Sequence, residues 1–210
     1  MKPTLYLTVL SPVLLGIMAI FMFAIGLRGI VTQRPFLIPA RWFFYQMLLV
    51  FLPVISLPLW LGFSSSGPST TGLALRVWLY PLMFGCILLM MWFQMQGYMA
   101  FAVTDQAFRE ALISALHKLN LPFEERLSGM RLTSVEADLQ VAVQSWMGTG
   151  QIKLKGSKDR SLLSQIVSAM NEHFRTSSTQ TNMTSCVFYT IMGIFLVIFA
   201  VGMLFFGTGL

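Results

Sequence analysis

The sequence predicts an α-helical membrane protein with four transmembrane helices and a small soluble α+β insert between the third and fourth helices. Of the 210 residues, 56% are hydrophobic and only 10% are charged, and the mean hydropathy is +0.72. A soluble domain carries about 25% charged residues. All eight acidic residues lie between Asp105 and Glu172. Because a charge in hydrocarbon costs several kcal/mol, this central window is the part expected in water.

Four apolar runs are each long enough to cross about 30 Å of hydrocarbon as a helix. We place them at about Leu5–Leu27, Trp42–Phe63, Val77–Val103 and Cys186–Phe206. The predicted organisation is a membrane domain over 1–103 (spans at about 5–27, 42–63 and 77–103), a soluble domain over 104–176, a linker over 177–185 and a last membrane helix over 186–210. A cleaved signal peptide is the alternative interpretation of the first run.

The loops between these runs predict the orientation. Loop 28–41 holds Arg28, Arg34 and Arg41, whereas loop 64–75 holds no Lys or Arg. Short loops rich in Lys and Arg stay in the cytoplasm. The α+β domain is therefore expected in the cytoplasm, with both termini outside. A bacterial-type inner membrane is the expected location, and an organellar or thylakoid membrane stays open.

Two polar side chains, Gln94 and Gln96, lie in the second half of the third run. Amide side chains at such depth commonly form hydrogen bonds between helices. We therefore predict that both make helix contacts.

The insert begins with a helix signal. Thr104 is suited to cap a helix that has Asp105 in its first turn, and apolar residues follow at helical spacing. Asn120 and Pro122 are typical of the helix end.

Strand signals follow this helix. They are Phe123–Leu132, bent at Gly129, then alternating residues over 139–144, and then Ile152 and Leu154 after a turn. A second amphipathic helix is predicted to begin near 157–159. The order is α-β-β-β-α, which predicts a two-layer unit with both helices on one sheet face.

A basic cluster lies between the last strand and the last helix of the insert. Its members are Lys153, Lys155, Lys158 and Arg160. Lysines of this kind commonly protect an exposed sheet edge. They are also candidates for contact with a protein partner or with anionic lipid headgroups.

The sequence predicts no catalytic residue, cofactor site or metal site. It lacks the short phosphate-binding, hydrolase and paired-cysteine motifs, and two histidines, His117 and His173, are too few for a metal centre. Nucleic acid is not an expected partner, because residues 105–175 hold nine Lys or Arg against all eight acids and the remaining cations flank the apolar runs.

The predicted function is that of a non-catalytic structural, assembly or accessory subunit of a larger membrane complex. Its expected partners are membrane lipids and either a different protein or a second copy of the chain. The alternative is a small membrane enzyme or transporter that acts on a lipid or small molecule between kinked helices. A polar pocket formed by Ser56, Gln94 and Gln96 would favour that alternative.

Overall fold

The computed structural model describes residues 9–64, 71–126, 129–133, 137–156, 160–177 and 180–208. They form six α-helices and one six-stranded antiparallel sheet. The helices are α1 (Ser11–Thr32), α2 (Arg41–Ser64), α3 (Thr71–Gln94), α4 (Asp105–Lys118), α5 (Arg160–Thr176) and α6 (Thr184–Thr208). The strands are β1 (Phe36–Pro39), β2 (Tyr98–Phe101), β3 (Phe123–Arg126), β4 (Gly129–Leu132), β5 (Ala137–Gln144) and β6 (Thr149–Lys155).

The prediction of four transmembrane helices is wrong. Within the described residues, two helices are long and apolar enough to cross a membrane, Ser11–Thr32 and Thr184–Phe205. Over the residues whose side chains the structure describes, α2 and α3 contribute the apolar stretches Arg41–Leu52 and Leu82–Gln94. Both are shorter than the roughly 20 residues that a span takes. The third predicted span, 77–103, also extends too far, because α3 ends at Gln94 and Tyr98–Phe101 is a strand.

The predicted α-β-β-β-α order is likewise wrong, because the sheet has six strands in the order β1-β2-β6-β5-β4-β3. Strands β1 and β2 come from segments assigned to a loop and to a membrane span. They pair with each other, Phe36 opposite Phe101 and Pro39 opposite Tyr98. Strand β2 also pairs with β6, which joins both strands to the insert.

The segment predicted as one bent strand is a hairpin. Strands β3 and β4 pair with Phe123 opposite Leu132 and Arg126 opposite Gly129. Gly129 has φ +155°, and a Cβ atom there would collide with the carbonyl oxygen of Leu139 on the next strand. The glycine thus permits the close approach of β5, instead of marking a bend within one strand.

Local signals predicted α4 correctly. The Thr104 hydroxyl accepts a hydrogen bond from the Ala107 amide at 3.2 Å, as an N-cap residue does. After the helix, Asn120 adopts φ +52°, the left-handed conformation that terminates helices.

One face of the sheet carries the hydrophobic core. Helices α4 and α5 cover it with apolar stripes that include Phe108, Leu112, Ile166, Met170 and Phe174, all at most 1% exposed. The strands contribute the buried residues Leu37, Ala100, Met130, Leu132, Leu139 and Ile152. This two-layer arrangement places both helices on one side, as the periodicity predicts.

The chain divides into two compact units, Met1–Phe21 with Arg41–Met95 and Gly193–Leu210, and Met22–Ala40 with Gln96–Met192. In the first unit α2 packs along α3, with the ring centroids of Phe44 and Trp92 5.0 Å apart. The second unit holds the sheet, α4, α5, the end of α1 and the start of α6.

Within the second unit the end of α1 packs closely against the start of α6. A Cβ atom at Gly26 would lie 2.6 Å from both the Cys186 carbonyl oxygen and the Thr190 amide nitrogen. A Cβ atom at Gly29 would collide with the Cys186 sulfur. Small residues at such positions let two apolar helices approach closely in a membrane.

Candidate docking interface on the open sheet face

The sheet face opposite α4 and α5 has an apolar end and a polar end. The alternation of side chains places Phe36, Ile38, Met99 and Phe101 of β1 and β2 on this face. The Phe36 and Phe101 rings stack with centroids 5.5 Å apart, and the Phe101 ring meets Tyr189 of α6 edge-on at 5.5 Å. The ends of α1 and α6 therefore cover the apolar end of the face.

The polar end of the face lies on the four remaining strands. The register places Glu124 opposite Arg131, Arg131 opposite Asp138, and Asp138 opposite Lys155. All four side chains are exposed. Charges of opposite sign that face each other across strands contribute about 0.2–1 kcal/mol each. The result is a row of alternating negative and positive charge across β3, β4, β5 and β6, which we call the charged row.

Amide side chains extend this polar surface beside the charged row. Gln140 pairs in register with Lys153, and Ala142 pairs with Gln151. Gln144 and Thr149 also face each other, and the Thr149 hydroxyl donates to the Gln144 side-chain oxygen at 3.4 Å. Gln140, Ala142 and Gln144 are exposed. We call this surface, together with the charged row, the open polar face.

The structure separates the predicted basic cluster. Lys153 and Lys155 lie on β6 within the open polar face. Strand β6 runs between β2 and β5, so the interpretation that its lysines protect a sheet edge is wrong. Lys158 lies outside the described residues, and Arg160 is the first residue of α5.

The two glutamines proposed as helix contacts lie at the end of α3. Gln94 is the last residue of α3 and Gln96 lies in its connection to β2. Both are exposed. The prediction that they contact another helix stays a prediction.

One polar group of α2 escaped the sequence reasoning. The Gln46 side-chain oxygen is buried and has no hydrogen-bond partner in the described part of the chain. Its signal in the sequence was a single amide within an apolar run.

A groove of about 580 Å³ lies between α5 and the outer edge of β1. Its lining includes Leu37, Ser168, Asn171, Glu172 and Arg175. The Leu37 amide donates to the Asn171 side-chain oxygen at 3.0 Å, so α5 satisfies part of this free sheet edge. Arg34 donates to the Arg175 carbonyl oxygen at 2.5 Å. The Asn171 and Arg34 side chains thus stabilise the edge of the sheet.

Ion pairs connect α4 to α5 and to β3. The Lys118 ammonium lies 2.7 Å from the Glu172 carboxylate, which joins α4 to α5. That hydrogen bond, together with the positive charge of Lys118, lowers the pKa of Glu172 below its ordinary value of 4.5. Arg109 and Glu125 form a second pair at 2.5 Å. All four side chains are largely exposed, so both pairs support the layer only modestly.

Each histidine lies beside an aromatic ring in the described part of the structure. The His117 ring meets Phe123 edge-on at 5.8 Å, and His173 lies beside Phe174. Across the described ranges, no group of three or more His, Cys, Asp or Glu side chains comes close enough to hold a metal ion.

The turn between β5 and β6 is fixed to the start of α6. The Asn182 side-chain amide donates to the Ser145 carbonyl oxygen at 2.6 Å, and the Ser185 hydroxyl donates to the Gly148 carbonyl oxygen at 3.3 Å. The Asn182 backbone N–H donates to the Ala102 carbonyl oxygen at 3.3 Å. Thr181 also forms an isolated antiparallel β-bridge with Val103. The segment predicted as a linker is thus hydrogen-bonded to the sheet where it enters α6.

No protein-family model matches this chain, and no curated protein or solved structure matches it either.

Proposed function

We propose that this chain is a membrane-anchored, non-catalytic accessory or assembly subunit that binds a protein partner through its open polar face. The observation that carries the proposal is the charged row, in which exposed side chains of alternating sign cross four adjacent strands. Helices α4 and α5 cover the other face of the sheet, and α6 meets this face only at its apolar end. An exposed, ordered array of charges and amides is suited to select a partner by complementary charge and hydrogen bonding.

The signs of the charges favour protein as the partner. A nucleic-acid surface needs a continuous excess of positive charge, because its affinity comes mainly from phosphate contacts. The charged row instead pairs Glu124 and Asp138 with Arg131 and Lys155. A row of both signs can be matched by another protein surface or by a second copy of this chain.

The membrane location rests on α1 and α6. Large apolar side chains along both helices are exposed, for example Ile20 at 64%, Ile191 at 60% and Ile198 at 66%. A core helix of a soluble protein would bury such residues, whereas lipid contact costs them nothing. We therefore place both helices across the membrane.

The sheet domain is placed in the cytoplasm. Arg28, Arg34 and Arg41 lie at or beyond the end of α1, and such residues stay on the cytoplasmic side. Helix α1 precedes the sheet and α6 follows it, so both termini lie on the opposite side. A bacterial-type inner membrane is the proposed membrane.

Gln94 and Gln96 are proposed as secondary contacts with a partner helix. The enzyme or transporter alternative stays a prediction, because the side chain of Ser56, the third residue of its predicted polar pocket, lies outside the described residues.

The proposal is tested by site-specific photo-cross-linking in intact cells. A photoreactive residue at Gln140, in the open polar face, is expected to give a discrete protein adduct. The same residue at Gln106, exposed on α4, is the control and is expected to give none. Adducts at both positions, or at neither, would show that the open polar face is not a docking surface.

A charge reversal sharpens this test. Asp138→Lys places a third cation in the charged row and is expected to reduce the Gln140 adduct strongly. Glu110→Lys makes the same charge change on the exposed face of α4 and is expected to leave the adduct unchanged. Equal effects of the two reversals would contradict a role for the charged row.

A further inference from the structure

Trp146 is the most exposed large apolar side chain among the described residues, with 75% of its surface accessible. It lies in the turn of residues 145–148 between β5 and β6. Nothing in the role of the open polar face requires an indole at this position.

The structure holds this turn at the beginning of α6. The Asn182 side chain donates at 2.6 Å to the carbonyl oxygen of Ser145, the residue directly before Trp146. Ser185 donates to the Gly148 carbonyl oxygen at 3.3 Å. A Cβ atom at Gly148 would lie 3.0 Å from the Asn182 Cβ atom, so the turn also packs on this segment. The apolar stretch that is long enough to cross a membrane begins at Thr184, between these two contacts.

The side chains that follow along α6 are apolar and exposed. Val187 is 44% exposed, Phe188 48% and Ile191 60%. Asn182 and Ser185 therefore hold Trp146 at the level where α6 passes from polar to apolar surroundings. Arg28 lies at the same end of this unit, with its guanidinium carbon 5.0 Å from the centre of the Phe36 ring.

We propose that Trp146 inserts into the boundary between lipid headgroups and acyl chains, and that it anchors the β5–β6 turn to the membrane surface. Tryptophan is enriched at this boundary because its ring is apolar and its N–H group needs a polar partner. A nearby cation such as Arg28 suits the phosphate groups of the same layer. The inference rests on the proposed membrane location of α6, and it concerns a surface separate from the open polar face.

The anchor fixes the orientation of the sheet domain. A domain joined to the membrane only through the adjacent ends of α1 and α6 could tilt about that connection. A second contact at the turn restricts this tilt and presents the open polar face in one direction. The lipid is thus a structural ligand of the turn.

The experiment uses the purified full chain in phosphatidylcholine vesicles, with no other protein present. The difference in fluorescence between the wild type and Trp146→Phe isolates the Trp146 emission. We expect this emission to be blue-shifted relative to tryptophan in water, protected from aqueous iodide, and quenched more by lipids brominated near the headgroup than by lipids brominated at the chain ends.

The possible outcomes separate this inference from the membrane location. If the chain floats with vesicles but the Trp146 emission stays water-like and fully quenched by iodide, the anchor alone is overturned. A protein would then be the ligand of the exposed Trp146 side chain. A chain that does not float with vesicles overturns the membrane location and the anchor together. A second variant, Trp146→Leu, keeps an apolar side chain but lacks the N–H group, and is expected to increase the protease sensitivity of the β5–β6 turn in vesicles.

Discussion

Gly26 of α1 faces the Cys186 carbonyl oxygen of α6 so closely that an added Cβ atom would lie 2.6 Å from it. The neighbouring atom belongs to the backbone of α6, so a side-chain rotation cannot relieve the contact. The absence of a side chain at Gly26 is therefore what allows these two helix segments to meet.

Gly26→Ala is expected to destabilise the protein by about 1–3 kcal/mol, the usual effect of overpacking a tight contact. The measurement is thermal unfolding of the full chain in mild detergent. Gly16→Ala is the matched control, because no atom lies within 4 Å of a Cβ atom at Gly16 of α1. Alanine favours helix, so the control should be neutral or slightly stabilising. Equal melting temperatures for the two variants would contradict the close approach.

Asn182 connects the β5–β6 turn to α6 through two different groups. Its side-chain N–H donates to Ser145 at 2.6 Å, and its side-chain oxygen accepts from the Thr184 amide at 3.1 Å. Asn182→Ala loses both bonds and is expected to cost about 1–3 kcal/mol, since each hydrogen bond contributes about 0.5–1.5 kcal/mol.

Asn182→Asp separates the two contributions. Aspartate keeps the acceptor for Thr184 but lacks the donor for Ser145. We expect proteolysis within residues 145–148 to increase for both variants, and overall melting to fall less for the aspartate. A turn that stays equally resistant in both would show that Asn182 does not hold it.

The pair of Lys118 and Glu172 predicts a dependence of stability on pH. The pKa of Glu172 is lowered in the folded state by its hydrogen bond and by the charge of Lys118. A carboxyl whose folded pKa is depressed stabilises the fold above its ordinary pKa, and this contribution is lost as the pH falls through the folded value. Lys118→Met should therefore lower the melting temperature slightly at neutral pH, and the difference should vanish well below pH 4.5.

Salt provides the control for this pair. Both side chains are more than half exposed, so high ionic strength should reduce the neutral-pH difference. A difference that persists in acid would point to lost packing of the lysine stem instead of lost charge.

The buried oxygen of Gln46 predicts a substitution that stabilises the protein. Gln46→Leu removes an acceptor that has no partner in the described structure. An unsatisfied buried polar group costs about 1–3 kcal/mol, so the variant should unfold at a higher temperature in detergent. Gln96→Leu makes the same change at an exposed site and should alter stability by about 0.5 kcal/mol or less. A marked loss of stability in Gln46→Leu would reveal a hydrogen bond that the side chain needs.

The two sheet faces predict opposite responses to substitution. Ile166 of α5 is 0% exposed and packs in the core, so Ile166→Ala should cost about 2–5 kcal/mol. Gln140→Ala, on the open polar face, should change stability by about 0.5 kcal/mol or less. Protease resistance of the full chain measures both. Similar losses would contradict the assignment of core and open face.

The sequence alone determined the features that depend on neighbouring residues. Helix α4, its Thr104 cap, the left-handed Asn120 and the hairpin of β5 and β6 all follow from local spacing and local chemistry. The buried stripe of α5 follows from the same periodicity. The side of the sheet that carries charge is also readable in β5 and β6, where apolar and polar residues alternate.

Only the tertiary structure decided the width of the sheet and the residue at which the third apolar helix ends. Strands β1 and β2 have four residues each, too few to show a period, and β2 continues an apolar run that looked like a membrane span. Their backbone groups find partners on strands distant in the sequence, and this pairing selects strand over helix. The charged row also depends on pairing between strands. The cross-strand register places its four residues side by side, and the sequence does not encode this register locally.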